Sequence, residues 1–244
     1  MKVTIEKNAR ILAIFAIVCT ATVGLVHLLT ADKIAEQQQR YLLSSLNNII
    51  APERYNNDLF LDCSIIEDEQ GTSQKVYLAR FNEQPVAAAF TATAPDGYNG
   101  NIELLVAINI DNSVSGVRVL THNETPGLGD KIEIRKSDWI TTFTNKIVED
   151  ENDMRWFVTK DGGMFDQFTG ATITPRAVVK SVRQTALYFA KNKEQLFNSS
   201  ANCYPKAKVL DNAEAEISNA ELDQTESLDE SQQTATPVEN SNGG

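Results

Sequence analysis

The chain has 244 residues and a formal net charge of −11, with 42% hydrophobic residues, enough for one sizeable domain with appendages. Nine acidic residues and no Lys or Arg lie from residue 209 onward, which leaves only −2 for everything before them. That body has no clustered basic face, so nucleic-acid binding is excluded as a function class.

Residues 11–30 contain no Asp, Glu, Lys or Arg, and their length suits a helix through a hydrocarbon core of roughly 30 Å. Lys2, Lys7 and Arg10 precede the run. The positive-inside rule then keeps residues 1–10 cytoplasmic and puts everything after residue 31 across the bilayer. A cleaved signal peptide would have a shorter apolar region and an A-x-A-like exit, whereas this run ends in His27, Leu28, Leu29 and Thr30. A lipoprotein signal needs a small residue before its cysteine, and Val18 precedes Cys19. An uncleaved anchor in the lipid bilayer is expected, with Cys19 as a small packing residue and His27 as a buried structural one. Residues 31–57 read as a stalk helix, with apolar Ile34, Tyr41, Leu42, Leu46, Ile49 and Ile50 and a stop at Pro52.

Four strand-like runs follow at 75–81, 85–94, 101–110 and 114–122, separated by turn-forming Asn, Asp, Gly and Pro. They predict an antiparallel meander with one face packed on helices, an α+β domain over residues 58–205. A short helix fits 137–147, capped by Ser137 or Asp138, and a strand fits 155–160. The last helix is expected from Pro175 to about Phe197, with Val178, Val179, Val182, Ala186, Leu187 and Phe189 on one face. Thr174 before Pro175 has the order of a cap followed by a first-turn proline. Residues 209–244 have no aromatics and a polar, acidic composition, which predicts a disordered tail from about residue 206.

Cys63 and Cys203 flank the body. On an oxidising, periplasmic side they could form one disulfide that ties the start of the domain to its end. No C-x-x-C pair occurs, and His27 and His122 are too few for a histidine-based metal site. His122 suits a strand-end hydrogen bonder better than a base.

Two loops and one turn could carry chemistry. In residues 121–132, Pro126 and Gly127 have the order of a type II turn, Gly129 permits close backbone approach, and Glu124 and Lys131 flank with opposite charges. On its own this is equally a turn leaving a strand. The same holds for residues 95–100, with Tyr98 at the tip. Residues 166–175 place Thr169, Thr172 and Thr174 around Gly170 and Ala171. An anion beside Thr172 would meet a helix N-terminus, with its free amides and dipole; the alternative is a plain cap and turn. A threonine hydroxyl is a poor nucleophile unaided, so a bond from it to phosphate would require a separate enzyme.

Asp166, Thr169, Gly170, Ala171 and Thr172, spaced D-x-x-T-G-A-T, resemble the flavinylation motif D-x-x-[ST]-G-A-[TS] of the FMN-binding domain family shared by RnfG/RsxG and NqrC. Residues 51–57, 95–106, 124–133, 138–140 and 161–175, with the single N-terminal span, resemble RnfG/RsxG in order and spacing. The likeness covers about residues 1–205, and only the acidic tail lies outside it. In that family a dedicated flavin transferase esterifies the phosphate of FMN onto the motif's last threonine, which the resemblance makes Thr172. It further implies that Thr169 bonds the phosphate and that Asp166 orders the turn or is read by the transferase. The loop of Glu124, Thr125, Gly127, Leu128 and Gly129 would lie along the flavin, giving backbone N–H groups and the apolar contact of Leu128. Lys131 would favour a reduced, anionic ring, and Tyr98 or Trp139 would contact its face.

The resemblance also implies a place among the subunits of the ion-translocating Rnf/Rsx complex of a bacterial inner membrane. That complex couples electron transfer between ferredoxin and NAD to ion transport, and is linked to keeping a redox-sensing regulator reduced. The chain would be a single-pass electron carrier with a periplasmic main domain. An electron relay needs no general base, and the sequence shows no triad, metal cluster or paired acid–base carboxylates. The alternative is a flavin-free periplasmic scaffold subunit. A reductase acting on soluble substrates would need a nicotinamide-binding element such as G-x-G-x-x-G after a strand, which is absent.

Overall fold

The computed structural model describes residues 2–67 and 71–203; the tail expected to be disordered lies outside the described residues. Its first element, α1 (Lys2–Ile49), is one helix of 48 residues, about 72 Å long at 1.5 Å per residue. The expected stalk thus continues the apolar run directly, in one helix with it. No proline precedes Pro52 and Gly24 is the only glycine before it, so nothing in this stretch breaks the backbone ladder. The α-helix does not reach residue 57: it ends at Ile49, and Pro52–Arg54 forms a single 3-10 turn. Residues 6–30 are exposed all round, His27 and Cys19 included, so neither packs in a protein core. By length and composition this helix can cross a membrane.

The last turns of α1 have a different role. Leu46, Ile49 and Ile50 are buried against one face of a five-stranded antiparallel sheet. Its strands are β1 (Cys63–Glu67), β2 (Ser73–Phe81), β3 (Gln84–Ala94), β4 (Ile102–Asn109) and β5 (Val114–Thr121), in sequential order. Four of them match the expected runs. The short β1 has no alternation of its own to announce it. Strand periodicity sorts the side chains onto two faces. Ala79, Ala87, Ala89 and Ala107 lie on the α1 face, small enough for the helix to come close. Val76, Leu78, Phe90, Leu104 and Val106 lie on the other, under α2 (Ile173–Asn198). Both faces are covered, not only the one expected, which gives the near-continuous apolar runs of β3 and β4 their reason.

Both sheet edges are also covered, as exposed edges would template pairing with other chains. Along β1, the amides of Asn202 and Cys203 donate to the Cys63 carbonyl at 2.9 and 3.2 Å. Cys63 and Cys203 form a disulfide there, with Cα atoms 5.4 Å apart. Along β5, the Val114 amide donates to the Lys146 carbonyl at 2.9 Å, and the Asn145 amide to the Val114 carbonyl at 2.8 Å.

Between β5 and α2 the chain is irregular but held by aromatic packing. The expected helix at 137–147 is a six-residue 3-10 helix, Asp138–Phe143, with the Ser137 side chain accepting from the Trp139 amide. The expected strand at 155–160 does not form. Trp156 turns into the core and donates from its indole to the Ile147 carbonyl at 3.1 Å, leaving one bridge between Val158 and Phe165. Phe143 and Phe165 stack at 4.4 Å, and Trp156 lies 5.1 Å from Phe165.

Asp153 pins this segment. Its Oδ1 and Oδ2 accept from the Arg155 guanidinium at 2.9 and 2.7 Å and from the amides of Arg155 and Glu149 at 3.1 and 3.2 Å. The Arg155 side chain, and then those amides, hold its carboxyl well below the usual range. A depressed folded pKa contributes stability that is complete above the unfolded value of about 3.9 and is lost as pH falls toward the folded one. Asp153→Asn is therefore expected to lower Tm at pH 7 and to lower it progressively less below about pH 4. Thermal unfolding across that range checks this, and a pH-independent loss would mean that the charge is not what acts.

Candidate functional site

At one end of the sheet three connections converge: the β3–β4 turn, the loop leaving β5, and the N-terminus of α2. They enclose an open cavity of about 280 Å³ whose walls include Tyr98, Thr125, Leu128, Gly170, Ala171 and Thr172. Of the other residues singled out in the sequence, Glu124 and Gly129 also line it, whereas Gly127, Lys131, Asp166 and Thr169 do not. Trp139 lies beneath. It is 7% exposed, donates its indole N–H to the Asp166 carbonyl at 2.7 Å and packs edge-on to Phe168 at 5.1 Å. Trp139 therefore supports the threonine-rich turn from the core, and the aromatic on the cavity is Tyr98.

That turn is tight. The Ala171 amide donates to the Phe168 carbonyl at 3.1 Å, and Gly170 has φ +84°, a left-handed conformation that favours glycine. Helix α2 begins at Ile173, two residues before the expected start, with Thr172 as its N-cap. Thr172 does not use its side chain as a cap. Thr174 is not the cap either: it lies inside the first turn, and its hydroxyl donates to the buried carboxyl of Glu124. Pro175 occupies a first-turn position where no amide is needed. The amides of Thr172, Ile173 and Thr174 precede the first helical carbonyl that could accept from them, which makes the turn a locus for an anion.

The loop after β5 is bonded within itself. The amides of Leu128 and Gly129 both donate to the Thr125 carbonyl at 3.1 Å, and the nearby Gly127 amide dipole holds the Asp130 carboxyl below the usual range. The Leu128 and Gly129 amides are thus engaged within the loop, and the expected apolar side chain of Leu128 lines the cavity. With Tyr98 at 67%, Leu128 at 41% and Ile173 at 44% exposure, the cavity has an apolar rim around the Thr172 hydroxyl. His122 stands at the strand end as expected. Its Nδ1 accepts from the Glu124 amide at 3.0 Å, which fixes the proton on Nε2, facing Glu133 at 2.9 Å. That bond first, with help from Arg135, holds the Glu133 carboxyl below the usual range.

The site also has a direction. The Tyr41 hydroxyl donates to the Val119 carbonyl at 3.0 Å, and the Ser115 hydroxyl to the Ile49 carbonyl at 2.6 Å. Helix α1 thus runs antiparallel to β5, and the cavity lies at the end of the sheet from which α1 descends to its apolar half. Tyr41 is about 16 Å along the helix axis from Thr30, and the strand end closes much of that gap.

Nothing in the sequence assigned Thr174, Ile173 or Asn99 to the site. The only available signal was the spacing of Thr172 and Thr174 at the head of one helix.

The chain matches two family models: the RnfG N-terminal region over residues 1–49, and an FMN-binding domain over residues 97–186. Among curated proteins it is 52% identical to the G subunit of the ion-translocating oxidoreductase complex of Vibrio atlanticus (strain LGP32), over 82% of this chain and 97% of that one. It is 49% identical to the protein of the same name from Shewanella oneidensis (strain MR-1), over 82% and 96%. The chain belongs to this RnfG family of ion-translocating oxidoreductase subunits. The family's N-terminal region ends at residue 49, where α1 ends, and its FMN-binding domain takes in every wall of the cavity. The antiparallel sheet, packed by helices and preceded by an apolar helix, is as expected from the sequence.

Proposed function

We propose that this chain is the membrane-anchored electron-relay subunit of an ion-translocating oxidoreductase complex, and that it carries FMN through a phosphoester from Thr172. The observation that carries the reading is the N-cap hydroxyl of Thr172, not used for capping, at an anion-favouring helix terminus and on the edge of an apolar-rimmed cavity. A cavity of about 280 Å³ is at the small end of ligand pockets. It suits the flavin ring, with the ribityl phosphate outside on the α2 terminus.

The fit extends to the residues around it. Leu128 and Tyr98 supply apolar surface for the ring, and the amides at the head of α2 supply donors for the phosphate oxygens. Thr169, exposed on the turn, is placed to add a hydroxyl there, and exposed Asp166 is free to be read by a flavin transferase. Lys131, off the cavity wall, acts through its charge at a distance. When bound, the flavin accepts and releases electrons, and the protein's part is to hold and tune it. A covalent link keeps the cofactor at high effective concentration in every redox state.

Residues 11–30 span the inner membrane with residues 1–10 cytoplasmic, and residues 58–205 form the periplasmic domain. The cavity then faces the bilayer, which suits electron exchange with membrane-embedded subunits of the complex; the support is the antiparallel course of α1 along β5. The experiment is denaturing electrophoresis of the full chain purified from membranes of cells with and without the transferase, read by flavin fluorescence. A fluorescent band that survives denaturation only with the transferase is expected. A dark band in both would leave the flavin-free scaffold as the reading.

A further inference from the structure

Glu124 is 4% exposed and sits where the three connections meet. Its Oε1 accepts from the Asn99 amide in the β3–β4 turn at 3.0 Å, and its Oε2 accepts from the Thr174 hydroxyl in the first turn of α2. Its backbone amide is held by His122. One carboxyl therefore bridges all three walls of the cavity from behind. The packing around it leaves no slack. A Cβ on Gly129 would lie 2.9 Å from the Glu124 Cβ and Oε2 and from the Thr174 Oγ1, and one on Gly97 would lie 3.0 Å from the Glu124 Oε1.

A buried polar group with both oxygens satisfied is expensive to disturb, and its position transmits directly to the site. Thr174 is two residues from Thr172 on the same helical turn, while Gly129 adjoins Leu128 on the opposite wall. We propose that Glu124 and Thr174 are positioning residues of the flavin site: their hydrogen bond sets the separation between the Thr172 hydroxyl and the Leu128 wall. This rests on the reading of Thr172 as the attachment point. Neither residue needs to touch the reacting atoms. The hydroxyl of Thr174 is consumed by Glu124, so of the two threonines at the head of α2 it is Thr172 whose hydroxyl stays available for esterification.

The test compares Thr174→Val, which keeps the shape and removes the donor, with Thr174→Ser, which keeps the donor. Each full-length chain is produced with the transferase. The initial rate of flavin incorporation, the visible circular dichroism of the attached flavin and the Tm of the flavin-free protein are measured. A displacement of about 1 Å at a reacting group costs up to roughly a hundredfold in rate. Thr174→Val is expected to incorporate flavin roughly tenfold or more slowly and to alter the dichroism of what it does carry, and Thr174→Ser to restore both. A merely structural role would move Tm alone. Should Thr174→Val fail to fold, Glu124→Asp carries the comparison, since a carboxyl withdrawn by one methylene cannot reach both Asn99 and Thr174. Wild-type rate and dichroism in the folded variant would overturn the proposal. A wild-type chain without covalent flavin would overturn the Thr172 reading and this proposal with it.

Discussion

Thr172→Ala is expected to yield a chain with no covalent flavin, lighter than the loaded wild type by roughly 438 Da, one FMN less water, beyond the change of side chain. Intact mass with peptide mapping on protein from transferase-containing cells reads this directly. The effect on folding should be small. The Thr172 side chain makes no capping hydrogen bond, so its removal falls among surface changes of within about 0.5 kcal/mol rather than the ~1 kcal/mol of a lost cap. That contrast separates the functional role of the hydroxyl from a structural one. Thr172→Ser, which keeps the hydroxyl, is expected to remain loaded. A large fall in Tm for Thr172→Ala would instead mark the residue as a cap, and retention of the full mass increment would move the attachment to another residue.

The largest stability effect is expected from the disulfide. Cys63 is fully buried in the α1-side core, and its bond to Cys203 spans a sequence separation of 140 residues. Closing so long a loop restricts the unfolded chain strongly, by about 3–5 kcal/mol in the chain-entropy picture. The native side contributes too, since Asn202 also lends its side chain to the Ile65 amide at 2.6 Å. The double variant Cys63→Ser, Cys203→Ser should lose about 3–5 kcal/mol, or roughly 10 °C or more in Tm. Cys19→Ser, at an exposed position on α1, should change nothing in the soluble part. Denaturant unfolding with and without reductant checks both. A loss below about 1 kcal/mol would mean that the hydrogen bonds along β1 hold the edge by themselves.

The elements legible in the sequence are those with a repeated signal. The uncharged run at 11–30, the turn-bounded apolar runs of β2 to β5 and the amphipathic face of α2 each involve many residues, so one exception does not erase them. The short helix was legible only through its Ser137 cap, and the strand expected at 155–160 was an error of the same origin. Trp156 and Val158 alternate correctly, but the aromatic cluster of Phe143, Phe165 and Trp156 takes these side chains individually into the core. Tertiary packing overrides β-propensity in so short a run. The early start of α2 has a related cause, since Thr174 looked like a cap until Glu124, 50 residues earlier in the chain, claimed its hydroxyl.

Local signals along the chain establish the class of molecule: an apolar N-terminal helix, an α+β body with an antiparallel meander, and a threonine-bearing turn at the head of the last helix. Periodicity and turn chemistry need no long-range contact to be read. Contacts across the fold account for the rest. They bury Leu46, Ile49 and Ile50, at the end of the long N-terminal helix, on the sheet. They turn the cavity toward the end from which that helix descends, and they occupy the amides of Leu128 and Gly129 inside their own loop. A buried hydrogen-bonding group takes whatever partner packing brings to it, and sequence spacing does not record that choice.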